Sequence, residues 1–173
     1  PTPPPPRARP GSCARRGRYE TAAGTRAAAA GGFTAVHAMA NTTPVADTAG
    51  VVEQVWSLGR DAGWVDVREV GAVSVGLAGE QRAERGAMAD SAARVRVFSD
   101  DGKCVDDPIL MRRALEYVKA FDGVVAQHAQ EPRLTEGAQM NEGGVSAELG
   151  LAGWAAGAAR PRRSPRARTC CAP

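Results

Sequence analysis

A chain of 173 residues, 43% of them apolar, is long enough for one folded domain. Its net charge of +3 comes from the two ends, because residues 1–19 and 156–173 hold ten arginines and no acid while the stretch between them is net acidic. Four cysteines without a CxxC pair argue against a disulfide scaffold, and the uncharged stretch 27–46 is too broken by glycine, Asn41 and Pro44 to cross a membrane.

Residues 1–19 come first, and with residues 156–173 they contain nine of the 12 prolines. Segments of Arg, Pro, Ala and Gly with almost no large apolar residue cannot bury enough surface to offset chain entropy. Both ends are therefore expected to be disordered. Lysine occurs only at Lys103 and Lys119, which suggests a GC-rich coding sequence, and the chain starts at Pro1 rather than Met. Out-of-frame translation of such DNA gives this mixture, so both ends are expected to be out of frame. Clustered arginine can neutralise phosphates, but no nucleic-acid-binding motif accompanies it and no such partner is expected. No apolar stretch follows the Arg-rich start as a signal peptide would require. The expected location is cytoplasmic.

Residues 20–155 alternate between helix and strand patterns. Thr21 to Ala30 is Ala-rich and ends at Gly31–Gly32, as a helix with a glycine stop. FTAVHAM (33–39) has the length and apolarity of a strand. Asp47 to Arg60 sets Val51, Val52, Val55, Trp56 and Leu58 among polar residues, which predicts an amphipathic helix. The valine-rich stretch 65–77 predicts a strand, 81–93 a helix and VRVF (95–98) a further strand. Asp106 or Asp107 can cap the next helix, with Pro108 in its first turn and Leu110, Ala114, Leu115 and Val118 on one face. Gly123 stops that helix, and VVAQHA (124–129) predicts a fourth strand. Such βα repetition predicts a parallel sheet with helices on its faces, and it fits an open α/β sheet and part of a (β/α)₈ barrel equally well.

Polar residues lie at the carboxyl ends of three of these strands: Asn41 and Asp100–Asp101–Gly102 after theirs, and His128 near the end of its own. Each has an ordinary structural reading, since Asp-Gly makes turns, Asn opens them, and a histidine at a strand end is usually a hydrogen-bonded structural residue. Three at successive strand ends make a stronger case, because the carboxyl ends of parallel strands form the working rim of such folds. Carboxylate oxygen and imidazole nitrogen are also suitable zinc donors.

The segments GTRAAAAGGFTAVHAMANTTPV (24–45), VRVFSDDGKCVDDPILMRRALEYVKAFDGVVAQHAQE (95–131) and LTEGAQMNEGGVSAELGLAGW (134–154) resemble bacterial, monofunctional-type dihydroorotases, in order and over about residues 20–154. The resemblance implies part of a (β/α)₈ amidohydrolase barrel, about four βα units of it. It implies an enzyme family that interconverts N-carbamoyl-L-aspartate and L-dihydroorotate in pyrimidine biosynthesis, with two zinc ions per intact site. Asn41 in MANT matches the family's substrate-carboxylate asparagine, with Ala40 in place of the usual proline. Asp101, the second acid of SDDG, and His128 in VVAQHAQE match metal ligands. The family's HxHxR element, a later histidine and a catalytic aspartate have no match here; the histidines are His37 and His128, and His37 is expected to be structural. No catalytic residue is expected to be retained, and the chain alone is expected to be inactive. The alternative implied by the family is a non-catalytic partner of aspartate transcarbamoylase.

Overall fold

A computed structural model describes residues 13–155 and 167–169, with side chains described for residues 20–155. Helix α1 (Cys13–Ala30) leads to strand β1 (Ala35–Ala38), α2 (Ala49–Ala62), β2 (Asp66–Gly71), α3 (Arg85–Asp90), β3 (Val97–Phe98), α4 (Pro108–Val118) and β4 (Val124–Gln127). Then follow α5 (Pro132–Thr135), β5 (Met140–Asn141), α6 (Gly144–Leu149), β6 (Gly153–Trp154) and β7 (Ala167–Thr169). Among the described residues, β1-β2-β3-β4-β7 form one sheet in that order, and every pairing in it is parallel. The short strands β5 and β6 pair separately. The βα alternation read from the sequence is thus present as a mixed α/β fold on a parallel sheet.

The two faces of the sheet differ. Register puts Gly71, Phe98 and Val125 side by side, and the period of two adds Val67, Glu69 and Gln127 to their face. All six are buried. On the opposite face His37 and Arg68, paired in register, are exposed, and Val97 and Val124 are only half-buried. The core therefore lies between the sheet and its helices, where Val52 of α2, Met88 of α3 and Leu110, Ala114 and Val118 of α4 surround Phe98 and Val125. Phe98 meets Phe121 edge-on at 5.8 Å between ring centres.

Local chemistry explains the helix ends. Asp107 accepts a hydrogen bond from Ile109 N at 2.8 Å and Pro108 follows it, so Asp107 rather than Asp106 caps α4. Helix α2 ends at Gly63, whose φ of 68° lets its N–H return to the Gly59 carbonyl. Gly59 matters for another reason. A Cβ there would lie 2.5 Å from the Val67 Cβ, so only glycine lets α2 sit this close to β2. Gly59→Ala is expected to cost about 1–3 kcal/mol by overpacking, seen as a lower midpoint in a urea melt; a melt like that of the parent would contradict the contact.

Strands β1, β3 and β4 are each shorter by a few residues than the ranges 33–39, 95–98 and 124–129 read from the sequence, and two further elements differ in the same direction. Strand β2 ends at Gly71 instead of Leu77, and α3 begins at Arg85 instead of Gln81. Residues 72–84 form a loop folded back on itself, through Ala83 N to Val73 O and Val75 N to Gln81 O. Helix α1 also starts at Cys13, inside the first segment expected to be disordered, and β7 lies inside the second. Backbone pairing is open to any residue with a free N–H and carbonyl, which composition does not register. The remainder of both end segments, with its expected disorder, lies outside the described residues. Among the described residues no helix is long and apolar enough to cross a membrane.

Candidate functional site

Parallel strands place the loops after β1, β2 and β3 along one edge of the sheet. These loops are tied to one another. Ala72 N donates to Ala46 O at 2.8 Å, Gly76 N to Asp47 Oδ2 at 2.9 Å and Glu84 N to Asp47 O at 3.2 Å. Between the second and third loops, Ser99 N donates to Gly71 O at 2.9 Å. The rim is thus one hydrogen-bonded surface built from three separate loops.

Asn41 and Asp101 meet on this rim. Asn41 Nδ2 donates to Asp101 Oδ2 at 3.3 Å, across 60 residues of sequence. Asn41 is exposed and Asp101 half-buried, so the pair faces solvent while its backbone is held from below. Asp101 occupies a turn closed by Lys103 N to Asp100 O at 2.8 Å. Gly102 in that turn has a φ of 77°, a conformation that favours glycine and accounts for the Asp-Gly pair in the sequence.

His128 is the first residue after β4 and stands at the same edge, one strand further along. Its Nε2 is 2.9 Å from Gln130 Oε1. The amide of Gln130 is oriented by its Nε2, which donates to Thr135 Oγ1 at 3.1 Å, while that hydroxyl donates onward to the backbone carbonyls of Glu131 and Pro132. With Gln130 Oε1 as the acceptor, His128 Nε2 is the donor of this contact. Gln127 ties the end of β4 to the third loop by donating to Cys104 Sγ at 3.0 Å and Val105 O at 3.1 Å. Burial pushes the Cys104 thiol above its ordinary pKa, which keeps it protonated and weakly nucleophilic. His37 lies within β1 on the exposed sheet face, paired with Arg68 and apart from the rim loops.

Below the Asn41–Asp101 pair is a set of charged groups that the sequence did not single out. Asp100 is 2% exposed and accepts from Val73 N at 2.8 Å, Ser74 N at 3.1 Å and the Ser74 hydroxyl. Arg85, also 2% exposed, donates through Nη1 to the Val73 carbonyl at 2.6 Å and lies over the Tyr117 ring. Burial lowers the Arg85 pKa, with Arg82 adding to the effect, while Tyr117 and Asp100 oppose it. The one available sequence signal was the doubled acid of SDDG. Adjacent side chains at a strand end point to opposite sides, so one acid can face the rim while the other turns inward.

In chemical terms the rim offers an amide donor, a carboxylate and an imidazole. Among the described residues no group of three or more His, Cys, Asp or Glu side chains is arranged to hold a metal ion. A catalytic zinc takes three protein ligands, so Asp101 and His128 do not make such a site by themselves.

Comparison with known proteins bears on what the rim belongs to. The sequence model of the dihydro-orotase-like family matches residues 11–159. A dihydroorotase from Leifsonia xyli subsp. xyli is 80% identical over 133 residues, which are 77% of this chain and 30% of that protein. One from Streptomyces coelicolor is 76% identical over 133 residues, 77% of this chain and 31% of the relative. One from Mycobacterium tuberculosis is 60% identical over 131 residues, 76% of this chain and 30% of the relative. The chain thus spans about 30% of the length of the curated relatives it matches.

Proposed function

Because the chain belongs to the dihydro-orotase-like family, we propose that it carries one section of a dihydroorotase active site: the rim of about four βα units of a (β/α)₈ barrel. The complete enzyme would be cytoplasmic and would hydrolyse L-dihydroorotate reversibly to N-carbamoyl-L-aspartate, with zinc in its site. The observation that carries this reading is the 3.3 Å contact between Asn41 and Asp101. Two residues 60 positions apart, each matched to a family motif, meet on one rim, and His128 directly follows the next strand of the same sheet.

The roles follow from the chemistry of each group. Asn41 is an exposed amide donor and would bind the substrate carboxylate, exchanging its hydrogen bond to Asp101 for one to substrate. Asp101 and His128 would supply a carboxylate oxygen and an imidazole nitrogen to the metal of a complete site. Such a barrel takes about 250 residues to close, and the outward face of this sheet, with His37 and Arg68 exposed, is the face that further strands would cover. The 173-residue chain alone is expected to produce no dihydroorotate from carbamoyl aspartate above background, with or without added zinc. Turnover by the purified chain would refute that part of the proposal.

A further inference from the structure

We propose that Asp100 is a positioning residue, which together with Arg85 fixes the Val73 peptide and so sets Asp101 against Asn41. The inference rests on the reading of Asp101 as a working group of the rim, and extends it to residues that no family motif assigned here.

The geometry is a clamp across two strands. Val73 follows β2; its N–H and its carbonyl each meet a charged side chain, and the carbonyl also accepts from Ala83 N at 3.1 Å. Its N–H donates to Asp100 Oδ1 at 2.8 Å, and its carbonyl accepts from Arg85 Nη1 at 2.6 Å. Ser74 adds its own N–H at 3.1 Å and its hydroxyl to the same carboxylate. That hydroxyl in turn accepts from Gly79 N at 2.8 Å, which gathers the far side of the second loop. A carboxylate that is 2% exposed and accepts three hydrogen bonds cannot move sideways without leaving buried donors unmatched.

The backbone of Asp100 is pinned as well. Ser99 N is bonded to Gly71 O, and the Asp100 carbonyl closes the turn to Lys103 N. Asp101 is the next residue in that turn. Its position relative to Asn41 on the neighbouring loop is therefore set by how the third loop is tethered to the second. The carboxylate of Asp100 supplies that tether by accepting from the N–H groups of Val73 and Ser74, and Arg85 holds the Val73 carbonyl, which shares its peptide group with the Ser74 N–H. Without them the turn would keep its shape through Gly102 but could shift as a body. A shift of this kind is enough to break a hydrogen bond already at 3.3 Å.

The test uses the ¹⁵N-labelled 173-residue chain and the side-chain amide resonances of Asn41. Asp101→Ala gives the position of that pair when the contact is absent. Asp100→Ala is expected to move the pair at least halfway to the Asp101→Ala position while backbone dispersion stays native. Asp100→Asn keeps an oxygen for the two amides and can turn its NH₂ toward the Ser74 oxygen, so it is expected to restore most of the parent shift. A folded Asp100→Ala variant with lower Tm but an unmoved Asn41 pair would mean a purely structural role and would overturn the proposal. So would an Asp100→Asn variant displaced as far as Asp100→Ala. If Asp100→Ala does not fold, Ser74→Ala decides: a partial move of the Asn41 pair supports the clamp, and no move overturns it. These outcomes report geometry alone, so the dihydroorotase reading can fail separately, through turnover in a complete enzyme that ignores Asp101.

Discussion

Replacing Glu69 is expected to stabilise the fold, and most strongly at alkaline pH. Glu69 lies in β2 on the face packed against the helices, is 3% exposed, and neither carboxylate oxygen has a hydrogen-bond partner among the described residues. Burial raises its pKa from 4.5 to about 8. The folded chain therefore holds a proton there that the unfolded chain releases near pH 4.5. Between those two values the native state binds more protons than the unfolded state, so stability falls as pH rises. The contribution is fully present below about pH 4.5 and is lost as pH passes through about 8. At 1.36 kcal/mol per pKa unit the loss is at most about 5 kcal/mol, and relaxation of the surroundings would reduce it to a few.

The comparison must be with a variant and not with the parent curve alone, because the parent curve sums the proton linkage of every titrating group. Glu69→Gln removes the proton linkage while keeping size. The difference in unfolding free energy between parent and Glu69→Gln is expected to widen by a few kcal/mol from pH 5 to pH 8, in favour of the variant. Glu69→Leu, which also removes the unpaired polar group, is expected to gain more at pH 8. Urea melts giving a pH-independent difference would contradict the burial of an unpartnered carboxyl.

Much of the fold was legible because its signals are local. The Asp107–Pro108 start of α4, the amphipathic pattern of α2 and the valine-rich β4 each depend on residues within one turn or one strand. The Asp-Gly turn after β3 was legible for the same reason, since Gly102 needs its positive φ. What was not legible depends on distant partners. The apolar run through Val70, Val73, Val75 and Leu77 reads as one strand. Its second half is instead a loop, with Gly76 and Leu77 at positive φ. Val73 and Leu77 are buried there by packing and by the Asp100–Arg85 clamp, neither of which has a sequence period. Strands β5 and β6, two residues each, are too short to show any period.

The candidate site divides in the same way. Asn41, Asp101 and His128 were identified by their motifs and by their places after strands, and the structure shows Asn41 and Asp101 in contact. The sequence names Asp100 beside Asp101 but gives it no separate role, because neighbouring acids look alike in sequence. Only the fold distinguishes the one that accepts buried amides from the one that faces the rim. Arg85 had no signal at all, since a basic residue near the start of a helix is ordinarily solvated. Glu69 is the reverse case: a strand residue whose burial follows from alternation with Val67 and Gly71, while its lack of a partner is visible only in three dimensions.

The central claim is that Asn41, Asp101 and His128 are the working rim of a dihydroorotase section. It is tested most directly by placing residues 20–155 of this chain into a full-length dihydroorotase relative, in place of the matching segment. The joined enzyme is expected to form dihydroorotate from carbamoyl aspartate at a rate comparable to the relative. Asp101→Ala or His128→Ala in it is expected to lower kcat/KM at least 100-fold, about 2.7 kcal/mol of transition-state stabilisation, and Asn41→Ala mainly to raise KM. A folded joined enzyme without activity, or one that keeps its activity after Asp101→Ala, would contradict the account.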